Sequence, residues 1–199
     1  MLPPARSYHS GRGSFPVGLT YMPEEITASV IKCAQSGDKT ALTELYEHYK
    51  SDVYLYLYYR VGQPQLAEDL TTEVFIRMIE HLPRYKPRGA PFQAWLMRIS
   101  RNLAIDAMRK MNVRDHAELD ETMPTDREGP EIVVDRILTI ERLQHALRRL
   151  TANQCDVVVL RFVGGMSISQ VAKTLHKSES AVKALQARGL EALQRILVS

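Results

Sequence analysis

Ser167 to Leu193 reads as two short amphipathic helices joined by a tight turn, and no other stretch of the 199-residue chain narrows its fold so far. Ser167-Ile168-Ser169-Gln170 places a hydroxyl three residues before a long amide, a pair that satisfies the orphan amides of a helix start reciprocally. A second helix opens at Ser178, and Leu175-His176-Lys177 has the length of the turn in a helix-turn-helix. His176 stands where that turn usually carries glycine, and histidine tolerates positive φ better than most residues. Along the second helix Val182, Leu185, Gly189 and Leu193 share a packing face, which leaves Glu179, Ser180, Lys183, Gln186 and Ala187 on the other side. Lys183 and Gln186 are able to hydrogen-bond base edges in a major groove, and Lys183 or Arg188 can hold phosphates. With Ser178 and Ser180 they form the surface expected to meet duplex DNA. A helical hairpin that merely packs shows the same pattern, so this segment alone does not decide the function.

Charge supports the DNA reading. The net charge of +3 conceals blocks: residues 1–22 carry +2, residues 23–112 carry 12 basic and 11 acidic side chains, 113–135 carry 2 and 8, and 136–199 carry 10 and 4. A basic block around a helix-turn-helix is the electrostatic footprint of a DNA-binding domain, and the acidic block before it, with Pro124, Gly129 and Pro130, reads as a flexible linker. Cys33 and Cys155 lie far apart in apolar helical patterns, so neither a disulfide framework nor a metal site is expected. No apolar run approaches the roughly 18 residues of a membrane span, and no signal peptide is apparent, so a cytoplasmic chain without membrane insertion is expected. Residues 1–22, rich in Pro, Gly, Ser and Arg, read as a disordered extension.

The rest is periodic at helical spacing, with no persistent strand alternation. Helices are expected from Glu24 to Ser36, from Asp38 to Gly62, from about Gln65 to a stop at Pro83, and from Phe92 to about Met111. The segment Pro83 to Pro91 is basic and too proline-rich for regular structure. Six tyrosines, Tyr46, Tyr49, Tyr54, Tyr56, Tyr58 and Tyr59, crowd the second helix, where core packing and ordinary surface are a better reading than base stacking. On the fourth helix Leu96, Ile99, Leu103 and Ala107 point inward, while Arg98, Arg101, Asn102, Ile105 and Arg109 form a cationic stripe on the other side. After the linker, Leu138 to Leu150 reads as a helix, and Thr151-Ala152-Asn153-Gln154 is a second capping box.

Two runs, Ala67-Glu68-Asp69-Leu70-Thr71-Thr72-Glu73-Val74-Phe75 and the fifteen residues from Phe92 through Trp95 and Asn102 to Asp106, resemble region 2 of the extracytoplasmic-function (ECF) branch of bacterial sigma factors. Leu150 to Leu193 resembles their region 4. The resemblance implies an all-α protein of two helical domains: region 2 over residues 23–112 and region 4 over 136–199, joined by the acidic linker 113–135. It implies docking of Asp69, Thr72, Glu73 and Phe75 on the clamp helices of the largest subunit of core RNA polymerase. Carboxylates four residues apart share a helix face and can pair with arginines there, although a solvated face with Glu73 paired to Arg77 has the same pattern. Thr71-Thr72 replaces the Val-Gln more usual in the family.

For the -10 element the resemblance points to Arg84, Lys86, Arg88, Trp95, Arg98, Arg101, Asn102 and Arg109. Asn102 matches the position that contacts a flipped non-template base, while the arginines neutralise the single strand. Trp95 is expected to pack the loop onto its helix, and Asp106 to pair with Arg109 or bond Asn102. Ser178, Ser180, Lys183, Gln186 and Arg188 map to the -35 reader of duplex promoter DNA. An anti-sigma factor covering both domains is a further implied partner. No catalytic motif or cofactor site is present in the pattern, so the chain is expected not to be an enzyme. The rivals are a conventional helix-turn-helix regulator and a sigma-like protein-interaction adaptor.

Overall fold

The computed structural model describes residues 26–87, 90–115 and 141–198, with side chains omitted at 112–115. The extension 1–22, Arg88 and linker residues 116–135 lie outside the described residues. Regular structure among the described residues is entirely helical. The elements are α1 (Ala28–Gln35), α2 (Lys39–Val61), α3 (Pro64–His81), α4 (Phe92–Asp115), α5 (141–148), α6 (Ala152–Phe162), α7 (Ile168–Leu175) and α8 (Glu179–Val198).

Local chemistry sets the breaks. Asp38 caps α2 by accepting from the Ala41 amide at 2.7 Å, and Gly62 ends it at φ 77°. Pro64 opens α3 at a position where no amide is needed. Two expectations need correction. Pro83 does not begin an irregular loop: Leu82–Arg84 is a 3-10 turn continuing α3, in which Pro83 loses no required hydrogen bond. Helix α4 runs four residues past Met111, so residues 113–115 belong to a helix and not to the linker.

The N-terminal unit packs α2, α3 and α4 around Leu45, Val53, Leu57, Val74, Met78, Leu96 and Met97, all essentially fully buried. Of the six tyrosines of α2, Tyr49 and Tyr56 are core, Tyr46 is exposed and the others are partly buried; Tyr49, Tyr85 and Trp95 all meet Phe92, with ring centroids 5.3–5.5 Å apart. The C-terminal unit packs α6, α7 and α8 around Val157, Val159, Leu160, Met166, Val171 and Val182. Gly189 allows α8 to cross α6 closely, because a Cβ there would lie 2.9 Å from Cγ2 of Val158. Valine is stiff at χ1 and cannot swing aside. Gly189→Ala is expected to destabilise this unit by about 1–2 kcal/mol despite its better helix propensity, and Val158→Ala in the same chain to recover part of the loss. Thermal melts of the three variants check this.

The two units are packed together, which periodicity within single helices did not disclose. Helix α6 lies against α2 and α7 against α4. At the centre, Asp156, fully buried in the otherwise apolar run Cys155 to Leu160, meets three side chains of the N-terminal unit. It accepts from Tyr56 Oη at 3.0 Å and Arg101 Nε at 2.7 Å, and its Oδ1 is 2.8 Å from Arg60 Nε. The Arg60 Nε–H is not aimed at the carboxylate, so that contact is ionic and not a directed hydrogen bond.

Candidate nucleic-acid and polymerase interfaces

The helix-turn-helix forms as its capping chemistry dictates. Ser167 accepts from the Gln170 amide at 3.2 Å while Gln170 Oε1 accepts from the Ser167 amide at 2.6 Å. Thr151 and Gln154 make the same reciprocal pair at the head of α6. His176 terminates α7 at φ 53°, ψ 46°, a left-handed conformation held by no other non-glycine among the described residues.

On α8 the packing face is as expected, with Val182, Gly189 and Leu193 buried. Lys183 and Arg188 are exposed, and Arg188 Nε donates to the Ala184 carbonyl at 3.3 Å. Ser178 is engaged as the helix cap, accepting from the Ala181 amide at 3.2 Å, and its hydroxyl lies 3.0 Å from that of Ser180. Gln186 is half-buried and its Oε1 accepts from Arg161 Nε at 3.2 Å. Its amide donors stay available to base acceptors while Arg161, also bonded to the Met166 carbonyl, fixes its direction. Arg161 was absent from the sequence-derived site because a basic residue ending an apolar helix reads as a surface charge.

The second surface lies at the start and middle of α4. Trp95 packs against Tyr85 and Phe92, with centroids 4.9 and 5.3 Å away, so it anchors the basic segment onto the helix. Arg84 and Lys86 are exposed beside it, and Asn102 is exposed on the next turns of α4. Arg98 is half-buried, with a buried Nε that lacks a hydrogen-bond partner. Arg109 stands apart in the groove between α3 and α4, with Arg77 and Lys110 on the same groove and Leu66, Leu70 and Leu103 along it. Asp106 lies 4.0 Å from Arg109 with both groups well exposed, so the pair contributes little. Arg101 departs most from expectation: it is held by Asp156 in the seam between the units and is not a free member of the cationic stripe.

The third surface is the outer face of α3. Asp69 and Thr72 are exposed, and Thr72 Oγ1 bonds back to the Glu68 carbonyl at 3.2 Å. Glu73 accepts from Arg77 Nε at 2.7 Å, the pairing foreseen for a solvated face; both groups are about two-fifths exposed, so a partner's arginine can replace Arg77 at small cost. Phe75 is not on this surface. It is 5% exposed and packs edge-on against Tyr46, 4.8 Å between centroids, because its helical angle turns it into the α2–α3 seam. Ile76 and Ile79, 47% and 50% exposed, share the Asp69–Thr72 face instead, and a reading that assigned apolar residues to the core passed over them.

Asp52, on α2 beside the head of α4, is the carboxylate whose titration bears on stability. Burial raises its pKa to about 6, opposed by the hydrogen bond from Gln93. The fold therefore favours its neutral form, and the stability that proton contributes is present below the ordinary value near 4 and lost as pH rises through about 6. Asp52→Asn is expected to stabilise the chain by about 1–2 kcal/mol at pH 8, after discounting for its partial exposure, and by almost nothing at pH 4. Chemical denaturation at the two pH values measures it.

The buried arginine of the seam stays charged. Burial pulls the Arg60 guanidinium down, but Asp156 and then Tyr56 outweigh it and hold the group above its ordinary range. Burial and Asp156 push the Tyr56 hydroxyl well up. Among the described residues no cluster of ligating side chains suits a metal ion, and no helix is long and apolar enough to cross a membrane.

Comparison with known proteins agrees with this fold. The model for Sigma-70 region 2 matches residues 45–114, and that for Sigma-70, region 4 matches residues 146–195. The ECF RNA polymerase sigma factor BldN of Streptomyces coelicolor is 36% identical over 170 residues, covering 84% of this chain, which spans 64% of that protein's length. The ECF RNA polymerase sigma factor SigD of Mycobacterium tuberculosis is 33% identical over 188 residues, 91% of this chain and 88% of SigD. The solved structure of CnrH in complex with the cytosolic domain of CnrY shares the fold, with a TM-score of 0.68 at 22% identity over 85% of this chain and 95% of that one. The chain belongs to the ECF RNA polymerase sigma factors of the sigma-70 family.

Proposed function

We propose that this chain directs bacterial core RNA polymerase to a limited set of promoters and helps open the DNA there. The observation that carries the reading is the coexistence of two independent surfaces on one chain. A helix-turn-helix presents Lys183, Gln186 and Arg188, while α3 presents an acidic and apolar face, Asp69, Thr72, Glu73, Ile76 and Ile79, that DNA would repel. Family identity implies a transcription factor without catalytic activity of its own; nucleotide addition belongs to the polymerase.

In this reading the α3 face docks on the clamp helices of the largest polymerase subunit, with Asp69 and Glu73 pairing to arginines and the isoleucines supplying apolar area. Arg84, Lys86, Arg88, Arg98, Asn102 and Arg109 hold the single-stranded -10 element, Arg101 joining them when the seam opens. Phosphates are met by the cations, and Asn102 reads an extruded base. Helix α8 reads the duplex -35 element. An anti-sigma factor is the regulatory partner we infer, and the cytoplasm, where polymerase and chromosome are, is the compartment.

A conventional helix-turn-helix regulator would bind its duplex site tightly alone, using α8 only. The sigma reading predicts that anisotropy of labelled promoter duplex changes little with this protein alone and strongly when core polymerase is added. Tight binding without polymerase, unaltered by its addition, would favour the regulator.

A further inference from the structure

We propose that the chain masks itself: Asp156 holds the C-terminal unit over the polar face of α4, so that a nucleic-acid strand and the Asp156 carboxylate compete for Arg101. The masking half rests on the reading of α4 as a single-strand surface, whereas the closure half does not.

The seam is built from specific polar contacts and not from apolar area alone. Besides the Asp156 cluster, Gln93 Nε2 donates to the Gly164 carbonyl at 3.1 Å, and Gln170 Nε2 lies 3.4 Å from Gln93 Oε1. Thr174 Oγ1, within 2.9 Å of the Gln170 carbonyl, also lies 3.4 Å from the Ala94 carbonyl. These contacts run along α4 from Gln93 to Arg101, flanking Trp95 and Arg98 and ending beside Asn102. The seam therefore covers one side of the surface assigned to single-stranded DNA, and it uses α7, half of the helix-turn-helix, to do so.

Asp156 sits where its neighbours Cys155, Val157, Val158, Val159 and Leu160 are all apolar and buried. An apolar residue there would pack the seam at no desolvation cost, and buried ion pairs are poor sources of stability compared with such packing. A carboxylate makes the seam conditional. While closed, it is matched to two guanidinium groups and a hydroxyl; on opening, Asp156, Arg60 and Arg101 all regain water and none is stranded. Removing Asp156 alone penalises only the closed form, because Arg60, with a side chain 4% exposed there, loses its counter-ion. The substitution thus shifts the chain toward the open form and leaves both cores intact. Arg101 is the exchangeable member: its side chain is 25% exposed at the edge of the seam, within reach of a phosphate that can take the place of Oδ2.

The test uses the full chain in two variants that open the seam differently. Asp156→Ala removes the cluster; Thr174→Glu forces bulk and charge between α7 and α4 without touching it. Circular dichroism establishes that each variant keeps its helix content, X-ray scattering gives the radius of gyration, and anisotropy reads binding to a fluorescein-labelled mixed-sequence single-stranded DNA 20-mer. Both variants are expected to expand and to bind the 20-mer about tenfold more tightly than the wild type, the gain in accessible fraction when a closed majority is released. Thr174→Glu adds a negative charge, which by itself weakens DNA binding, so its gain reports unmasking. Folded variants as compact as the wild type would overturn the latch. Expansion without tighter binding would overturn the masking. Polymerase-dependent transcription by the wild-type chain, measured separately, tells either failure from a failure of the functional reading.

Discussion

Reversing the two carboxylates of the α3 face, Asp69→Arg with Glu73→Arg, is expected to weaken binding to core RNA polymerase by at least about 100-fold and to abolish promoter-specific transcription. Each substitution replaces a charge-assisted bond by repulsion, and truncating one partner of a desolvated charge pair already costs about 2–5 kcal/mol. The same change should leave the fold almost untouched, because Asp69 is exposed and the Glu73–Arg77 pair lies in water, where such pairs contribute about 0–1 kcal/mol. Ile76→Asp should act in the same direction, since its side chain is half-exposed and outside the buried core. Titrating the labelled protein with core polymerase, alongside a thermal melt, separates docking from folding. Unchanged affinity in a folded double variant would place the docking surface elsewhere.

The second large effect falls on DNA opening. Asn102→Ala is expected to reduce stable open complexes on a duplex promoter by about 10–100-fold, the 1–3 kcal/mol that one captured base contributes. Asn102 is exposed, so core stability should not change. On a template already unpaired through the -10 element the defect should shrink, because the unstacking cost of a few kcal/mol has been removed in advance. Lys183→Ala should behave oppositely, weakening attachment to the -35 duplex to the same degree on both templates. Permanganate reactivity of unpaired thymines distinguishes the two variants. Equal defects on both templates for Asn102→Ala would argue against a role in strand capture.

Much of the fold was legible because it is written in local chemistry. The capping pairs Ser167 with Gln170 and Thr151 with Gln154 involve residues three apart, and the left-handed turn at His176 follows from the spacing of the two helices it joins. The same applies to Gly62 and Pro64, which break α2 from α3. The readings that changed depend on what lies across the seam or on fine helical angle. Phe75 and Ile76 are adjacent, and periodicity did not say which of the two faces α2. The 3-10 turn at Pro83 and the continuation of α4 to Asp115 are boundary effects, where composition outvoted backbone geometry.

The site was legible as three separate surfaces and illegible as one assembly. Arg101 looked like a member of a free cationic stripe because helical spacing relates it to Arg98 and Arg109 and says nothing of Asp156, 55 residues away. One signal was present: Asp156 is the lone charge in the buried run Cys155 to Leu160, and Arg60 follows a run of tyrosines. A charge that has no solvent face on its own helix requires a partner on another. Read together, the two residues call for each other.

The central claim is that this chain gives a polymerase its choice of promoter. The most direct measurement is transcription of sheared bacterial genomic DNA by core RNA polymerase with and without the protein, followed by sequencing of RNA 5′ ends. The account predicts protein-dependent starts that share two upstream motifs separated by a constant spacing. A folded protein and an active core enzyme that yield no new starts would contradict it.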